Sequence, residues 1–340
     1  MVGSYRVSVK NSRNSYSFMI NRNITILCGD SGKGKTTLYE MIAEYGRFGK
    51  SSGVSVSCDR PLIALDGADW EEKLSRISSS IIVVDEDSRF IHSKDFAGYV
   101  KKGENYFLLI TREYLPQLPY SVDEIYSVEG RKNKHFVRIF HDIEKMYDRP
   151  QEKYIPFRPD VIITEDERSG YQFFRTVSQT EGINCVSAGG KSRIYDLLKE
   201  YEKENVLVIA DGAAFGAEIS EIVKKQRLRP RKLGIFLPES FEWLILTSGV
   251  ADLREDDERL LMPENYADST KYESWEQYFT KLLTEITKES RFKSYKKEKL
   301  KPFYTQEDTA AKIMDKCKGI RLRTGGVTYH GLLREMRGRA

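Results

Sequence analysis

The chain has 340 residues, of which 40% are hydrophobic and 31% are charged, and its formal net charge is +4. This length predicts two or three domains, and no apolar run approaches the ~18–20 residues of a membrane span, so we expect no membrane segment. Residues 1–11 lack the apolar core of a secretory signal, and four scattered cysteines show neither metal-ligand spacing nor a disulfide framework, which favours the cytoplasm.

The first predicted element is a β-hairpin. Polar and apolar residues alternate over residues 5–9 and 15–20, and the asparagine-containing segment 11–14 joins the two runs. Alternation with a period of two is typical of strands, so the two runs are expected to pair. Further strands are predicted near residues 54–58, 62–65, 81–85, 106–111, 124–128 and 136–140.

A phosphate-binding loop is predicted directly after the hairpin. Residues 29–36 read G-x-x-x-x-G-K-[ST], between an apolar strand and a helix-like pattern. Backbone N–H groups of the loop and the positive end of the helix favour a β-phosphate. We expect Lys35 to reach the β- and γ-phosphates and the Thr36 hydroxyl to bind Mg²⁺. The predicted nucleotide-binding residues are Gly29, Asp30, Ser31, Gly32, Lys33, Gly34, Lys35, Thr36 and Thr37.

A second motif follows a buried strand at residues 81–84. Four β-branched apolar residues there predict a parallel strand, with Asp85 at its carboxyl end as a Walker B aspartate for Mg²⁺. Glu86 resembles in position the glutamate that polarises the attacking water in many ABC- and AAA-type ATPases. The alternative is a strand that ends in solvated acids.

The next strand ends in a polar pair. Residues 106–110 are apolar and precede Thr111 and Arg112. In P-loop ATPases a polar residue at this position often senses the γ-phosphate, which makes Thr111 a candidate catalytic residue. Arg112 is expected to be a solvated charge rather than a contact to phosphate.

A second α/β domain is predicted after a proline-rich linker. Strands near residues 161–164, 183–186, 206–210 and 233–237 alternate with helices, as in a small parallel sheet. Glu165 and Asp211 close the first and third of these strands. Because the carboxyl ends of parallel strands meet in one crevice, we expect the two carboxylates to bind a divalent cation together.

The C-terminal region is predicted to be helical and basic. Residues 291–340 carry 14 Lys and Arg against 5 Asp and Glu, a net charge of +9. Such a segment can bind phosphate backbones, with aromatic side chains interleaved for base stacking. A solvated, helix-forming tail is the alternative. The interleaved aromatic residues are Phe292, Tyr295, Phe303 and Tyr304.

The second domain resembles a Toprim domain; the alternative is an unrelated small Rossmann-like domain in which Glu165 and Asp211 are ordinary acids at strand ends. The resemblance rests on Glu165, on Gly189-Gly190-Lys191 and on the segment from Asp211 to Gly216, which is similar to D-x-D-x-x-G. Ala213 replaces the second acid of that motif. The acids that could substitute for it are Glu218, Glu239 and Glu242.

The whole chain resembles OLD-family and related anti-phage proteins, in which an ABC-like P-loop ATPase is fused to a Toprim-like domain. The hairpin before the P-loop is similar to ABC-type heads, although no LSGGQ-like signature is present. The resemblance implies an α/β fold of four parts. They are a P-loop ATPase domain (1–148), a linker (149–159), a Toprim-like domain (160–245) and a helical basic region (246–340).

The resemblance also implies a function. It predicts ATP and Mg²⁺ as cofactors, a nucleic-acid partner, and a homo-oligomer formed through the ATPase heads or with a partner subunit. One hypothesis is an ATP-regulated metal-dependent nuclease in anti-phage defence or mobile-element biology. The alternative is a nucleotide-switched regulator that binds nucleic acid or protein without cutting. A small-molecule kinase is disfavoured by the Asp85–Glu86 pair.

Overall fold

A computed structural model of the chain describes residues 1–30, 32–132, 138–147, 155, 157–320 and 322. The chain forms two compact units. The first unit comprises Met1–Asp148 and Met262–Ser274, and the second comprises Arg149–Leu261 and Trp275–Ala340. The predicted C-terminal region is therefore divided between the two units. No helix in the described part of the chain combines the length and apolarity that crossing a membrane requires.

The first unit is built on one mixed sheet, whose strands lie in the order β4-β1-β2-β9-β8-β3-β7-β6-β5. The strands are β1 (Tyr5–Lys10), β2 (Asn14–Ile20), β3 (Ile24–Cys28), β4 (Ser55–Ser57), β5 (Leu62–Ala64), β6 (Ile81–Val84), β7 (Tyr106–Ile110), β8 (Ile125–Lys132) and β9 (Ile139–Lys145). The predicted hairpin is confirmed, because β1 and β2 pair antiparallel. The strand predicted near residues 136–140 overlaps β9, which begins at Ile139 and continues to Lys145; residues 136 and 137 of that prediction lie outside the described residues.

The central strands of this sheet are buried and parallel. Every residue of β6 and β7 is buried, as continuous apolar runs predict for strands covered on both faces. β7 pairs with β3 on one side and with β6 on the other. The carboxyl ends of β3, β7 and β6 therefore lie side by side, which brings the segments after Cys28, Ile110 and Val84 to one edge of the sheet.

Three helices complete the described part of the first unit. They are α1 (Lys35–Phe48), α2 (Trp70–Ser75) and α3 (Lys94–Lys101). Leu38, Met41 and Ile42 of α1 are buried in one core with the sheet. These residues have the i, i+3, i+4 spacing that places apolar side chains on one helix face. The core thus fixes α1 directly behind the predicted phosphate-binding loop.

The second unit contains a four-stranded parallel sheet, in the order β11-β10-β12-β13. This confirms the predicted parallel sheet. The strands are β10 (Val161–Thr164), β11 (Asn184–Ser187), β12 (Val206–Ile209) and β13 (Leu233–Phe236). The helices are α4 (Ser169–Gln179), α5 (Ile194–Glu200), α6 (Ile219–Leu228), α7 (Phe241–Thr247), α8 (Glu258–Leu261), α9 (Trp275–Thr287) and α10 (Glu307–Asp315). Because β10 and β12 are neighbours in register, Glu165 and Asp211 follow adjacent strands.

Candidate functional site

The side chain of Lys35, in the predicted phosphate-binding loop, is hydrogen-bonded to the backbone of that loop. The Lys35 ammonium donates hydrogen bonds to the carbonyl oxygens of Gly29 and Asp30, both at 2.7 Å. Lys35 is only 4% exposed, and burial lowers its pKa while the nearby Glu86 carboxylate opposes this shift. The Lys35 ammonium therefore lies beside the backbone of the loop. Ser31, which belongs to the predicted set, lies outside the described residues.

The other charged side chain of the loop points elsewhere. Lys33 is partly exposed and forms an ion pair of 2.8 Å with Glu129. Asp30 and Thr36 are exposed, and Thr37 is half-buried. Of the two loop lysines, only Lys35 therefore faces the loop backbone.

Strands β2 and β9 support the end of the loop at Gly34. The Tyr16 hydroxyl donates a hydrogen bond of 2.7 Å to the Gly34 carbonyl oxygen, and the Tyr16 ring stacks on His141 at 4.2 Å. His141 in turn is hydrogen-bonded to the Asn14 side chain at 3.0 Å. Gly34 has φ +104°, and a Cβ atom there would lie 2.6 Å from His141 Cε1. Sequence reasoning missed Tyr16 and His141, because only the strand pairing brings them to the loop.

Gly34→Ala is expected to disrupt the loop. The substitution forces a side chain into a left-handed backbone conformation and into the His141 ring, at a cost of about 2 kcal/mol or more. We expect a lower thermal unfolding midpoint and loss of binding to a fluorescent ATP analogue. Gly46→Ala, within the helix α1 that Gly34 precedes, is the matched control, because a Cβ atom added there would meet no neighbouring group within 4 Å. That control should bind the analogue normally and be stabilised by up to about 1 kcal/mol.

The two predicted magnesium ligands of the first unit lie in one pocket. Asp85 and Thr36 both line a cavity of about 570 Å³ beside the start of α1. Asp85 is 5% exposed, and among the described residues its Oδ1 has no hydrogen-bond partner. Burial raises the pKa of this carboxyl group. A buried carboxylate oxygen without a partner is costly, and a bound cation would satisfy it, so these residues fit Mg²⁺.

Glu86 forms an ion pair with Arg112, which the sequence analysis did not assign to the site. The Arg112 guanidinium donates a hydrogen bond of 2.8 Å to Glu86 Oε1. The Arg112 side chain is half exposed, so its solvation is compatible with the expectation, and it also pairs with Glu86. Strands β7 and β6 are neighbours, so the residues that follow them meet. The charges of Glu86 and Arg112 both act on Lys35.

The Thr111 hydroxyl is already hydrogen-bonded within the turn that follows β7. It donates to the Glu113 carbonyl oxygen at 3.1 Å and accepts from the Glu113 amide at 3.0 Å. Thr111 is also buried. A contact from this hydroxyl to a γ-phosphate would require the turn to open.

In the second unit, the structure brings Glu165 and Asp211 together. The Asp211 amide donates to Glu165 Oε2 at 3.4 Å, and both residues line one narrow pocket. The Phe241 amide donates to Asp211 Oδ1 at 3.1 Å. The Gly190 amide also bonds to the Glu165 carbonyl oxygen, which ties the Gly-Gly turn to the same strand end.

Other charged residues line this pocket or pair with a residue that does. Glu242 of α7 also lines it, whereas sequence reasoning could only name Glu242 among several acids. Lys297 lines the pocket as well and forms ion pairs with Glu276 of α9 and, at 3.7 Å, with Glu242. Neither Glu276 nor Lys297 was predicted, because nothing in their local sequence distinguishes them from surface charges.

Burial governs the electrostatics of these acids. Burial raises the pKa of Glu165 to about 7, with Lys191 opposing the shift, and raises the pKa of Asp211 well above its usual value. Burial lowers the pKa of Lys297, but the carboxylates of Glu242 and Glu276 outweigh this effect and raise it. In the part of the chain that is described, no three His, Cys, Asp or Glu side chains are arranged to hold a metal ion.

The basic C-terminal segment presents fewer groups to solvent than its composition predicts. Tyr295 and Tyr304 are buried, so the expectation that both stack on bases is wrong in this structure. Phe292 is 75% exposed and remains available. Residues 321 and 323–340, which carry much of the predicted positive charge, lie outside the described residues.

Comparison with known proteins adds no relative from which a function could be transferred. No protein-family model matches the chain, and no curated protein matches it. The assignment of function therefore depends on the geometry of the two sites.

Proposed function

We propose that the first unit binds ATP with Mg²⁺ and hydrolyses it. The observation that carries this proposal is the placement of Lys35, whose ammonium is held on the Gly29 and Asp30 carbonyl oxygens at the start of α1. Asp85, with its buried unpartnered oxygen, shares a pocket with Thr36. This combination of an ammonium, a hydroxyl, a carboxylate and a helix N-terminus suits a nucleotide triphosphate.

Each residue has a defined part in this proposal. The loop backbone and the N-terminus of the 14-residue helix α1 bind the β-phosphate. Lys35 would exchange its carbonyl partners for phosphate oxygens, and Thr36 and Asp85 would hold Mg²⁺. Mg²⁺-ATP supplies the transferable γ-phosphoryl group. Once Glu86 is free of Arg112, it accepts a proton from the water that attacks the γ-phosphorus, while the bond from that phosphorus to the β–γ bridging oxygen breaks and ADP leaves.

The strand order also supports the more specific proposal that the first unit is a P-loop ATPase domain. β7 lies between the strand that leads into the loop and the strand that leads to Asp85. Thr111 therefore follows a strand between the two motifs, where a γ-phosphate sensor is expected. We further propose, from the resemblance, that these heads associate with each other or with a partner subunit.

For the second unit we propose a nucleic-acid-directed role in a Toprim-like fold. Glu165 and Asp211 follow adjacent parallel strands, which supports an OLD-like, ATP-regulated nuclease of anti-phage or mobile-element type. Two observations favour the non-cutting alternative, a nucleotide-switched regulator. Lys297 lies among the carboxylates, and Ala213 is a buried methyl group where the motif has an acid.

Three assays test these proposals on the full chain. Mg²⁺-dependent release of phosphate from ATP tests the first unit. Cleavage of plasmid and single-stranded DNA, with and without ATP, separates the nuclease from the regulator. No ATP turnover with any nucleic acid present would contradict the ATPase proposal, and binding without cleavage would favour the regulator.

Exposed lysines of the C-terminal segment are expected to contribute nonspecific nucleic-acid affinity. Lys296 and Lys299 are exposed, and removing one lysine that neutralises a phosphate should reduce the slope of log affinity against log salt by about 0.9. We expect weaker binding and a shallower slope for the double variant Lys296→Ala/Lys299→Ala. Lys199→Ala/Lys224→Ala removes the same charge from the same unit and is the control. Equal slopes for the two double variants would place the binding surface elsewhere.

A further inference from the structure

A run of positive charge ends helix α6 in the second unit and continues into the turn before β13. Residues 224–232, which we name the basic turn, contain six basic side chains and no acidic one. The six are Lys224, Lys225, Arg227, Arg229, Arg231 and Lys232. The structure divides them into side chains that are used within the fold and side chains that face solvent.

Arg229 holds the basic turn against the end of helix α5. Its guanidinium donates hydrogen bonds to the carbonyl oxygens of Leu198, Tyr201, Glu202 and Glu204. The last carbonyl groups of a helix have no partners within the helix, so an arginine there is favourable. The amides of Lys232 and Leu233 donate to the Arg229 carbonyl oxygen at 3.0 and 2.9 Å. Both the side chain and the main chain of Arg229 therefore fix the shape of the turn.

Two lysines of the basic turn also have contacts within the unit. The Lys224 ammonium forms an ion pair of 2.6 Å with Glu221, which neutralises its charge. The Lys232 ammonium donates a hydrogen bond of 2.9 Å to the Lys203 carbonyl oxygen. A carbonyl oxygen carries no net charge, so the positive charge of Lys232 is not neutralised by this contact.

The charges of Arg227 and Arg231 have no acidic partner among the described residues. Both side chains are exposed, as is Lys232, and they lie on a turn whose shape Arg229 fixes. A guanidinium group presents several N–H donors in one plane, which suits the oxygens of a phosphate group. The basic turn therefore offers neighbouring cations to an anion that carries phosphates in a row.

The basic turn lies at the end of the sheet opposite the pocket that contains Glu165 and Asp211. It leads into β13, and the Val206 amide at the start of β12 donates to the Lys232 carbonyl oxygen at 2.7 Å. Glu165 and Asp211 instead follow the carboxyl ends of β10 and β12. The four residues of β12, at ~3.3 Å each, separate the two ends by roughly 13 Å. A phosphate on the basic turn therefore does not need these acids for its binding.

We propose that the basic turn is a docking surface for duplex DNA, with Arg227, Arg231 and Lys232 on the phosphate backbone. Charge complementarity supports this partner, because adjacent cations match the closely spaced phosphates of a duplex. A lipid surface fits less well: membrane-surface helices bury a whole apolar face, and the basic turn has one leucine, Leu228. This inference rests on the proposed nucleic-acid role of the second unit and names the surface that serves it.

Binding of a short fluorescent DNA duplex to the full chain at several salt concentrations is the direct test. The titration is made in EDTA without ATP, so that no divalent ion bridges carboxylates to phosphate. Arg227→Gln/Arg231→Gln should reduce the slope of log affinity against log salt by about 1.8, since each lost phosphate contact removes about 0.9. Affinity at about 0.1 M salt should fall by about tenfold or more. The unfolding midpoint should stay at the wild-type value, because both side chains are exposed.

Lys199→Gln/Lys224→Gln is the matched control. It removes the same charge, but these ammonium groups are paired with Asp196 and Glu221. The control should therefore keep a slope close to that of wild type. Equal slopes for the arginine variant and the control would overturn the proposal.

The other outcomes separate this inference from the proposed function. DNA binding that appears only with Mg²⁺ and ATP would overturn the docking surface and leave the nucleic-acid role intact. Failure to bind DNA under every condition would contradict both. Binding of wild type, but not of Arg227→Gln/Arg231→Gln, to phosphatidylserine vesicles in place of DNA would assign the basic turn to a lipid surface.

A second measurement uses the wild-type protein and does not depend on any variant. Acetylation of lysines by an amine-reactive ester, followed by mass spectrometry, reports the accessibility of each ammonium. We expect bound duplex to slow the acetylation of Lys232 several-fold and to leave Lys281 of α9, which is 57% exposed, unchanged. Equal labelling of Lys232 with and without the duplex would place the DNA elsewhere, and the proposal would fail.

Discussion

Lys35→Ala is expected to abolish ATP binding. Among the described residues, the Lys35 ammonium has the backbone carbonyl oxygens of Gly29 and Asp30 as its hydrogen-bond partners, both at 2.7 Å. A bound triphosphate offers charged oxygens instead, and a hydrogen bond to a charged group contributes about 1.5–3 kcal/mol. Loss of more than one such bond should weaken affinity by at least ~100-fold.

The measurement is a titration with a fluorescent ATP analogue and Mg²⁺. Lys33→Ala is the matched control, because it removes a positive charge two residues away whose side chain is paired with Glu129. That control should change affinity only a few-fold, since surface ion pairs contribute little. Equal binding by wild type and Lys35→Ala would show that the nucleotide site is elsewhere.

Glu86→Gln is expected to retain ATP binding and to slow turnover by ~10²-fold or more. Glutamine has the shape of glutamate and can still accept the Arg112 hydrogen bond, but it cannot take a proton from water. Because the bound nucleotide persists, any ATP-dependent dimer should accumulate in this variant.

Steady-state phosphate release and size-exclusion chromatography with ATP measure the two effects. Glu113→Gln is the control, since Glu113 is a largely exposed acid on the turn after β7. It should hydrolyse ATP at the wild-type rate. A wild-type rate in Glu86→Gln would exclude Glu86 as the general base and leave its pairing with Arg112 as a structural contact.

The local elements of the first unit could be predicted because their signals lie within short stretches of sequence. The alternation in β1 and β2, the continuous apolar runs of β6 and β7, and the glycine-rich segment before α1 each specify their own backbone. The parallel sheet of the second unit follows from alternating strands and helices in the same way.

Side-chain partnerships could not be predicted to the same degree. Tyr16 and His141 are far apart in the sequence and meet only because β2 pairs with β9. Glu86 meets Arg112 because β6 and β7 are neighbours. In each case the order of the strands in the sheet determines the partner. A local sequence pattern does not specify that order.

The sequence by itself determined the glycine-rich loop before α1, the acids at the strand ends and the α/β class, since these depend on local periodicity and on residue type. Only the tertiary structure decided which charges neutralise the buried acids. Lys297 lies in a lysine-rich stretch of the kind that is usually solvated, yet packing of residues 297–300 on α4 places its side chain beside Glu242 and Glu276. The physical reason is that burial makes a counter-charge necessary, and the fold alone determines which residue lies close enough to supply it.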